Sequence, residues 1–314
     1  MTARTDRTST ALRPLSLSQG SLHRADGSAL FSFGNVSVLA SLTGPAEVRI
    51  RDELVDRATL EIHVRPLRGQ GGPATRAQEL TLRQLLTPLI LLHLYPRALL
   101  QLTLQTVSSP STAFSKPFST EPSLLSSSDD LKGKGKGREK PQGVGAGAGE
   151  KAARVNAAMM ALVDAGVQCR GMLVAVAVAF LPSPSSSPSS SNEEEEELRV
   201  DPSPAEEEQA TSTHIFAFSF GVGVGGAQGT CVGVDSVGSF SEAQLDAALA
   251  LAHPAASTLL AFLRRSVETK YGASGAPAPA AAKVKPAPAP EAVGRIDDDE
   301  QEEEGSDDEV MIDA

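Results

Sequence analysis

The sequence predicts an α+β domain in which helices cover one face of a mixed sheet, interrupted by low-complexity tracts. Three observations predict it. Short runs with strand-like alternation fill residues 12–65, two later stretches carry apolar residues at helical spacing, and Ser, Gly, Pro and charged tracts break the pattern between them.

The strands come first. Leu15 and Leu17 alternate with serines, Asp26-Gly27 is a hairpin signal, and Ala29, Phe31 and Phe33 alternate up to a Gly34-Asn35 turn. Further strands are expected over 36–42, 48–51 and 58–65, the last alternating Leu60, Ile62 and Val64. Such a meander calls for an antiparallel or mixed sheet. After a Gly-rich loop at 69–73, Leu82, Leu85, Leu86, Leu89 and Ile90 mark an amphipathic helix over 77–94, with Pro88 as a kink. Residues 98–107 return to strand alternation. A second helix is expected over 152–165, closed by Gly166. Strands follow at 172–180, 215–220 and 230–234. The last helix starts at Ser241, which forms a capping box with Gln244, and runs to about Tyr271 with a kink at His253-Pro254.

Between these elements lie tracts with almost no large apolar side chains. They bury too little surface to offset roughly 1–2 kcal/mol of backbone entropy per residue. The expected organisation is a disordered N-terminus over 1–11, then one domain over 12–271 interrupted by disordered insertions at 108–150 and 182–198. A disordered Ala/Pro linker and acidic tail occupy 272–314. The net charge of −11 belongs to those tracts, and the remainder is close to neutral. Overall acidity therefore does not argue against a local basic site for nucleic acid.

Several chemistries lack support. Cys169 and Cys231 show no CxxC spacing, so neither a disulfide framework nor a zinc site is expected, and a reducing compartment suits the chain. No apolar run reaches the roughly 18 residues of a membrane span, and no membrane partner is expected. The five histidines have no ligand or triad spacing. Gly221-Val-Gly-Val-Gly-Gly226 reads as a Gly-rich hairpin, because no long helix follows it directly. The basic tract 132–140 lacks the Gly-Lys-Ser/Thr of a P-loop and reads as a linker.

A set of ordered blocks points further. Asn156-Ala-Ala-Met-Met-Ala-Leu-Val-Asp-Ala-Gly166 resembles the signature helix of the RNase PH superfamily, and most closely its subunits in the eukaryotic RNA exosome ring. Gly20 to Ser28, Phe33 to Pro45, Ala58 to Ile62, Arg65-Pro66, His93 to Arg97, Leu104-Gln105, Asp201-Pro-Ser203 and Glu206-Glu-Glu208 resemble family blocks in the same order. The resemblance implies an RNase PH fold (ribosomal protein S5 domain 2-like) and a place in a six-membered ring that threads RNA. The implied partners are other RNase PH-like exosome ring subunits, cap subunits and single-stranded RNA. The implied location is the nucleus and nucleolus, also the cytoplasm.

The same resemblance locates the chemistry. Active members cradle phosphate in a Gly-Thr/Ser-Arg loop, through backbone N–H groups and a guanidinium. Gly149-Glu150-Lys151 stands there in this chain, with a carboxylate where the anion belongs and a point charge in place of the bidentate fork. No catalytic residue, cofactor or metal is therefore expected, and the chain is read as a non-catalytic RNA-binding ring subunit. The alternative is an active 3′→5′ exoribonuclease, phosphorolytic or metal-dependent, using Asp201 and Glu207; its bland counterpart is a solvated acidic turn. The residues expected to bind RNA are Arg65, Arg68, Arg76, Arg83 and Lys151, around the Gly-rich loop and the helix starts. They suit phosphate contacts without base readout, or else form ordinary surface ion pairs.

Overall fold

A computed structural model describes residues 7–67, 69–110, 146–182, 196–221 and 226–272. The alternation in the N-terminal third produces a five-stranded sheet of β1 (Leu15–Gln19), β2 (Gly27–Phe33), β3 (Val36–Glu47), β4 (Thr59–Arg65) and β5 (Ala98–Ser108). Its spatial order is β1-β2-β3-β5-β4. β4 runs parallel to β5 and the other pairs are antiparallel, so the sheet is mixed as the pattern predicts. A second, antiparallel sheet has the order β7-β6-β8-β9, from β6 (Met172–Pro182), β7 (Glu196–Val200), β8 (Ser212–Gly221) and β9 (Gly226–Gly238). Among the described residues four α-helices accompany them: α1 (Pro73–Leu86), α2 (Ala148–Asp164), α3 (Pro204–Gln209) and α4 (Glu242–Tyr271).

The α+β class holds, while the layering is richer than one sheet with a covered face. α2 packs on β2 and β3 of the first sheet and on β6 of the second. A helix enclosed on both sides must be apolar or small around its whole girth. Ala152, Ala153, Ala157, Ala158 and Ala161 meet that demand, all fully buried. Asn156 is a buried polar residue on this helix, as are Glu150 and Arg154. Its amide accepts from the Ala175 N–H at 2.8 Å and donates to the Ala175 carbonyl at 2.9 Å, tying α2 to β6. β2 comes closest to α2 at Gly27, where a Cβ would lie 2.5 Å from the Ala161 carbonyl oxygen. At the C-terminus Gly166 adopts φ +71°, and the Val167 N–H reaches back to the Leu162 carbonyl, so the cap expected there is present.

Five expectations are corrected. Residues 48–51 form no strand: β3 continues to Glu47 and a 3-10 turn follows at Ile50–Asp52. α1 does not kink at Pro88 but ends at Leu86, because proline restricts the residue before it and cannot donate within a helix. α2 begins at Ala148, inside the span expected to be an insertion. β7 begins inside the second expected insertion and runs past its end: Leu198 and Val200 alternate with charged neighbours, and Arg199 pairs with Glu197 and Glu206 at 2.8 Å each. Residues 7–11, expected to be disordered, are held in place by the Arg7 contacts described below. Of the tracts, residues 111–145, 183–195 and 273–314 lie outside the described residues, as do residues 1–6.

α4 is long and apolar enough by length and composition to cross a membrane. Its apolar residues have a nearer use: Ala248, Ala252, Ala256, Leu259 and Leu263 are fully buried, and the helix packs on β6 and β8. Its far end latches onto α2. Asp164 accepts from the Ser28 N–H at 2.9 Å, the Tyr271 hydroxyl at 2.8 Å and the Lys270 ammonium. Burial pushes the Asp164 carboxyl up, but these donors outweigh it and hold the group below the usual carboxylate range. A depressed carboxylate contributes stability in full above its ordinary pKa and loses it as pH falls through the depressed value. Lys270→Met is thus expected to cost about 0.5–1 kcal/mol at neutral pH, in keeping with a partly exposed pair. The loss should vanish in strong acid, as read from urea denaturation across pH.

Candidate functional site

The acidic turn of the sequence becomes a small helix aimed at α2. Ser203 accepts from the Glu206 N–H, and the Glu206 carboxylate accepts from the Ser203 N–H at 2.7 Å, closing the capping box that starts α3. α3 thereby presents Glu207 to the first turn of α2. The Glu207 carboxylate accepts from the Gly149 N–H at 2.7 Å and the Ala148 N–H at 3.2 Å. These are orphan donors of a helix N-terminus, which favours negative charge. Burial pushes the Glu207 carboxyl up, and these amides and the Arg13 guanidinium only partly offset it.

Asp201 sits beside it, fully enclosed at 1 % exposure and with φ +49°. Its carboxylate accepts from the Arg13 backbone N–H at 2.8 Å, Arg13 Nε at 3.0 Å, Arg13 Nη2 at 2.5 Å and Arg7 Nη1 at 3.3 Å. Arg7 also donates to the Asp201 carbonyl at 2.7 Å and lies 3.8 Å from Glu206. The N-terminal segment is strapped down further by the Val200 N–H, which donates to the Ser9 carbonyl. Both carboxylates of the exoribonuclease alternative are therefore engaged by protein donors. Sequence reasoning missed Arg7 and Arg13, since the Arg13 contact joins residues 188 positions apart with no local signal.

Glu150 and Lys151 occupy the first turn of α2 and point away from Glu207. Glu150 is buried, accepting from Thr106 Oγ1 at 2.7 Å, Ser109 Oγ at 3.2 Å and the Arg154 guanidinium one turn on. Arg154 is 2 % exposed and also donates to Gln78 and Thr106. Lys151 Nζ meets Asp235 of β9 at 2.8 Å, at the rim of a cleft of about 200 Å³ floored by Leu82, Leu85 and Val155. The carboxylate that meets the first amides of α2 is thus that of Glu207, whereas the sequence reading set Glu150 there.

The arginines divide between places. Arg76 and Arg83 share a groove of about 500 Å³ with Glu61, His63 and Glu79. Lys151 lines the cleft on the opposite side of α1, whose Gln78, Thr81 and Leu85 face it. Arg65 ends β4 and is exposed, and Glu79 is held by the Val64 N–H next to it at 2.8 Å. Arg68 lies outside the described residues. Among the described residues no group of three or more His, Cys, Asp and Glu side chains is arranged to hold a metal.

Two sheets clasp a small-residue helix, and an acidic turn meets that helix's first amides. Residues 11–168 match the 3′ exoribonuclease family, domain 1, and the chain belongs to that RNase PH family. It is 33% identical over 157 residues to the exosome complex component RRP46 of Saccharomyces cerevisiae, covering 50% of this chain and 57% of that protein. The exosome complex exonuclease RRP46 homolog of Arabidopsis thaliana is 28% identical over 170 residues, 54% of this chain and 56% of that one. The chain spans about half the length of these curated relatives. The crystal structure of rice (Oryza sativa) Rrp46 superimposes with a TM-score of 0.63, at 23% identity, over 84% of this chain and 98% of that chain, which establishes the shared fold.

Proposed function

We propose that the chain is a non-catalytic, RNA-binding structural subunit of the RNA exosome ring, supporting 3′→5′ RNA degradation and rRNA processing carried out by associated nucleases. Its relatives named as exosome components support the assembly, with other RNase PH-like ring subunits and cap subunits as neighbours and single-stranded RNA as the threaded ligand. The location follows as nucleus and nucleolus, also cytoplasm. One observation carries the non-catalytic reading: the α2 amides that would cradle a phosphate are bonded to Glu207, while Asp201 is clamped by Arg7 and Arg13. Phosphorolysis needs that anion position for the attacking phosphate. Metal-assisted hydrolysis needs carboxylate oxygens free for the ion.

Arg65, Arg68, Arg76, Arg83 and Lys151 are proposed to meet RNA through its phosphates. In this reading the purified chain releases no nucleoside diphosphate from single-stranded RNA in the presence of phosphate. Phosphate-stimulated release that Asp201→Asn abolishes would establish the exoribonuclease alternative instead. RNA binding should weaken steeply with salt, and Arg76→Ala or Arg83→Ala should each reduce the slope of log K against log salt by about 1. Unchanged slopes in both variants would remove the Arg76–Arg83 groove from the RNA path.

A further inference from the structure

His214 lies on β8, the strand between β6 and β9, and takes no part in the contacts described above. It is fully buried at 0% exposure, and both ring nitrogens are engaged: Nε2 with Ser212 Oγ on its own strand at 3.1 Å, and Nδ1 with Ser236 Oγ of β9 at 2.8 Å. The rings of Phe180 on β6, Phe216 on β8 and Phe240, just beyond β9, surround it with centroids 5.5, 6.1 and 4.7 Å away. A neutral imidazole needs one donor and one acceptor, and the two hydroxyls supply them by rotating. An imidazolium keeps both hydrogen bonds but brings a charge that nothing around it offsets. Among the described residues no carboxylate pairs with His214. β6 carries no charged side chain, and Asp235 of β9 pairs with Lys151 of α2. Glu150 and Asp164 of α2 pair with Arg154 and Lys270, while Glu242 and Asp246 at the start of α4 are exposed, as are Arg264, Arg265 and Glu268 further along.

We propose that His214 is an acid-sensitive clasp between β8 and β9, and that protonating it loosens β9 together with the cleft wall this strand forms. A buried charge without a partner is costly, and hydration relieves it only if some element moves aside. β9 is the element able to move. It is an edge strand bonded to β8 alone, whereas β6 is held between β7 and β8. Its 13 residues include Gly226, Gly229, Gly233 and Gly238, and its register with β8 shifts around Phe218 and Gly221; both features weaken a ladder. Val232, Gly233, Val234 and Asp235 of β9 wall the cleft opposite Leu82 and Leu85 of α1, so loosening the strand opens that cleft. Burial holds the His214 pKa below the ordinary histidine value. The sign follows: the clasp is intact above that ordinary value, and its hold is lost as pH falls from there toward the depressed value of the closed state.

The test is native-state hydrogen exchange of the full chain in low urea, with rates corrected for the intrinsic effect of pH. Between about pH 7.5 and about pH 5, protection of the β9 amides should fall at least about tenfold, the effect of one unit of depressed pKa. The opening responsible should be too small to respond to low urea, while β6 amides exchange only by a urea-sensitive route. Exchange of β9 by the urea-sensitive route alone at both pH values overturns the proposal. His214→Gln can still bond both hydroxyls but does not titrate, so it should abolish the fall; a fall equal to that of wild type overturns the proposal. His253 of α4 is the control, since its Nε2 meets the Gln228 carbonyl of β9 at 2.7 Å and protonation preserves that bond. The fall should persist in His253→Gln, and its disappearance there overturns the assignment to His214. Should His214→Gln fail to fold, the wild-type imidazole is titrated by NMR. A midpoint below the ordinary histidine value that coincides with the loss of β9 protection supports the clasp, and the absence of that coincidence overturns it.

Discussion

Asp201→Ala is expected to lower the stability of the protein by about 3–5 kcal/mol, measured by chemical denaturation, with no change in nuclease activity. The reason lies in what remains. Arg13 and Arg7 have side chains only 10% and 14% exposed, and without the carboxylate both guanidinium groups lose the partner that offsets their burial. Burial already lowers the Arg7 pKa, opposed mainly by Asp201, so the loss falls on a group whose charge is costly. A residue kept for catalysis behaves in the opposite way, since replacing a strained catalytic group commonly leaves stability unchanged or raises it. A neutral or stabilising result would return Asp201 to the list of catalytic candidates.

Glu150→Gln carries the second large effect, for a similar reason at the other side of α2. Arg154 is 2 % exposed, its pKa is lowered chiefly by burial, and Glu150 is the charged partner that opposes this. Gln78 and Thr106 can still accept and donate hydrogen bonds, but neither carries charge. About 3–5 kcal/mol should be lost on breaking the pair. The double variant Glu150→Leu with Arg154→Met should recover much of it, because apolar replacement removes both desolvation penalties together. A double variant as unstable as the sum of its parts would mean that the pair is valued for packing that Leu and Met cannot reproduce.

The first sheet was legible because its strands alternate cleanly: Phe31, Phe33, Leu60 and Ile62 are all in the core. The Asn156 to Gly166 helix was legible for the same kind of reason, a local pattern with a local cap. The start of α2 was not. Gly147-Ala-Gly149 reads as linker, and it becomes helix because Glu207, 58 residues away, supplies the missing cap. β7 was hidden by its composition, since Glu193 to Glu197 resembles a solvated charge run until Arg199 is seen to pair with both Glu197 and Glu206. Asp201 and Glu207 were picked out by order and type, yet their engagement was invisible, because every decisive partner comes from a distant part of the chain. Arg76 and Arg83 were set together by their places on either side of Glu79, and one groove holds all three, whereas Lys151 entered the set through the resemblance of Gly149-Glu150-Lys151 to a phosphate loop and lines a different cleft.

The bonds from Thr106 and Ser109 to Glu150 have a further consequence for the chain between β5 and α2. They fasten the departure and return points of that excursion to each other, so the domain meets it as a closed stem. Whatever its length, the excursion leaves and re-enters at one fixed gate. Lengthening a loop whose ends are already joined costs only about 0.6 kcal/mol per doubling. A change in the length of this stretch is therefore expected to leave the architecture on either side in place.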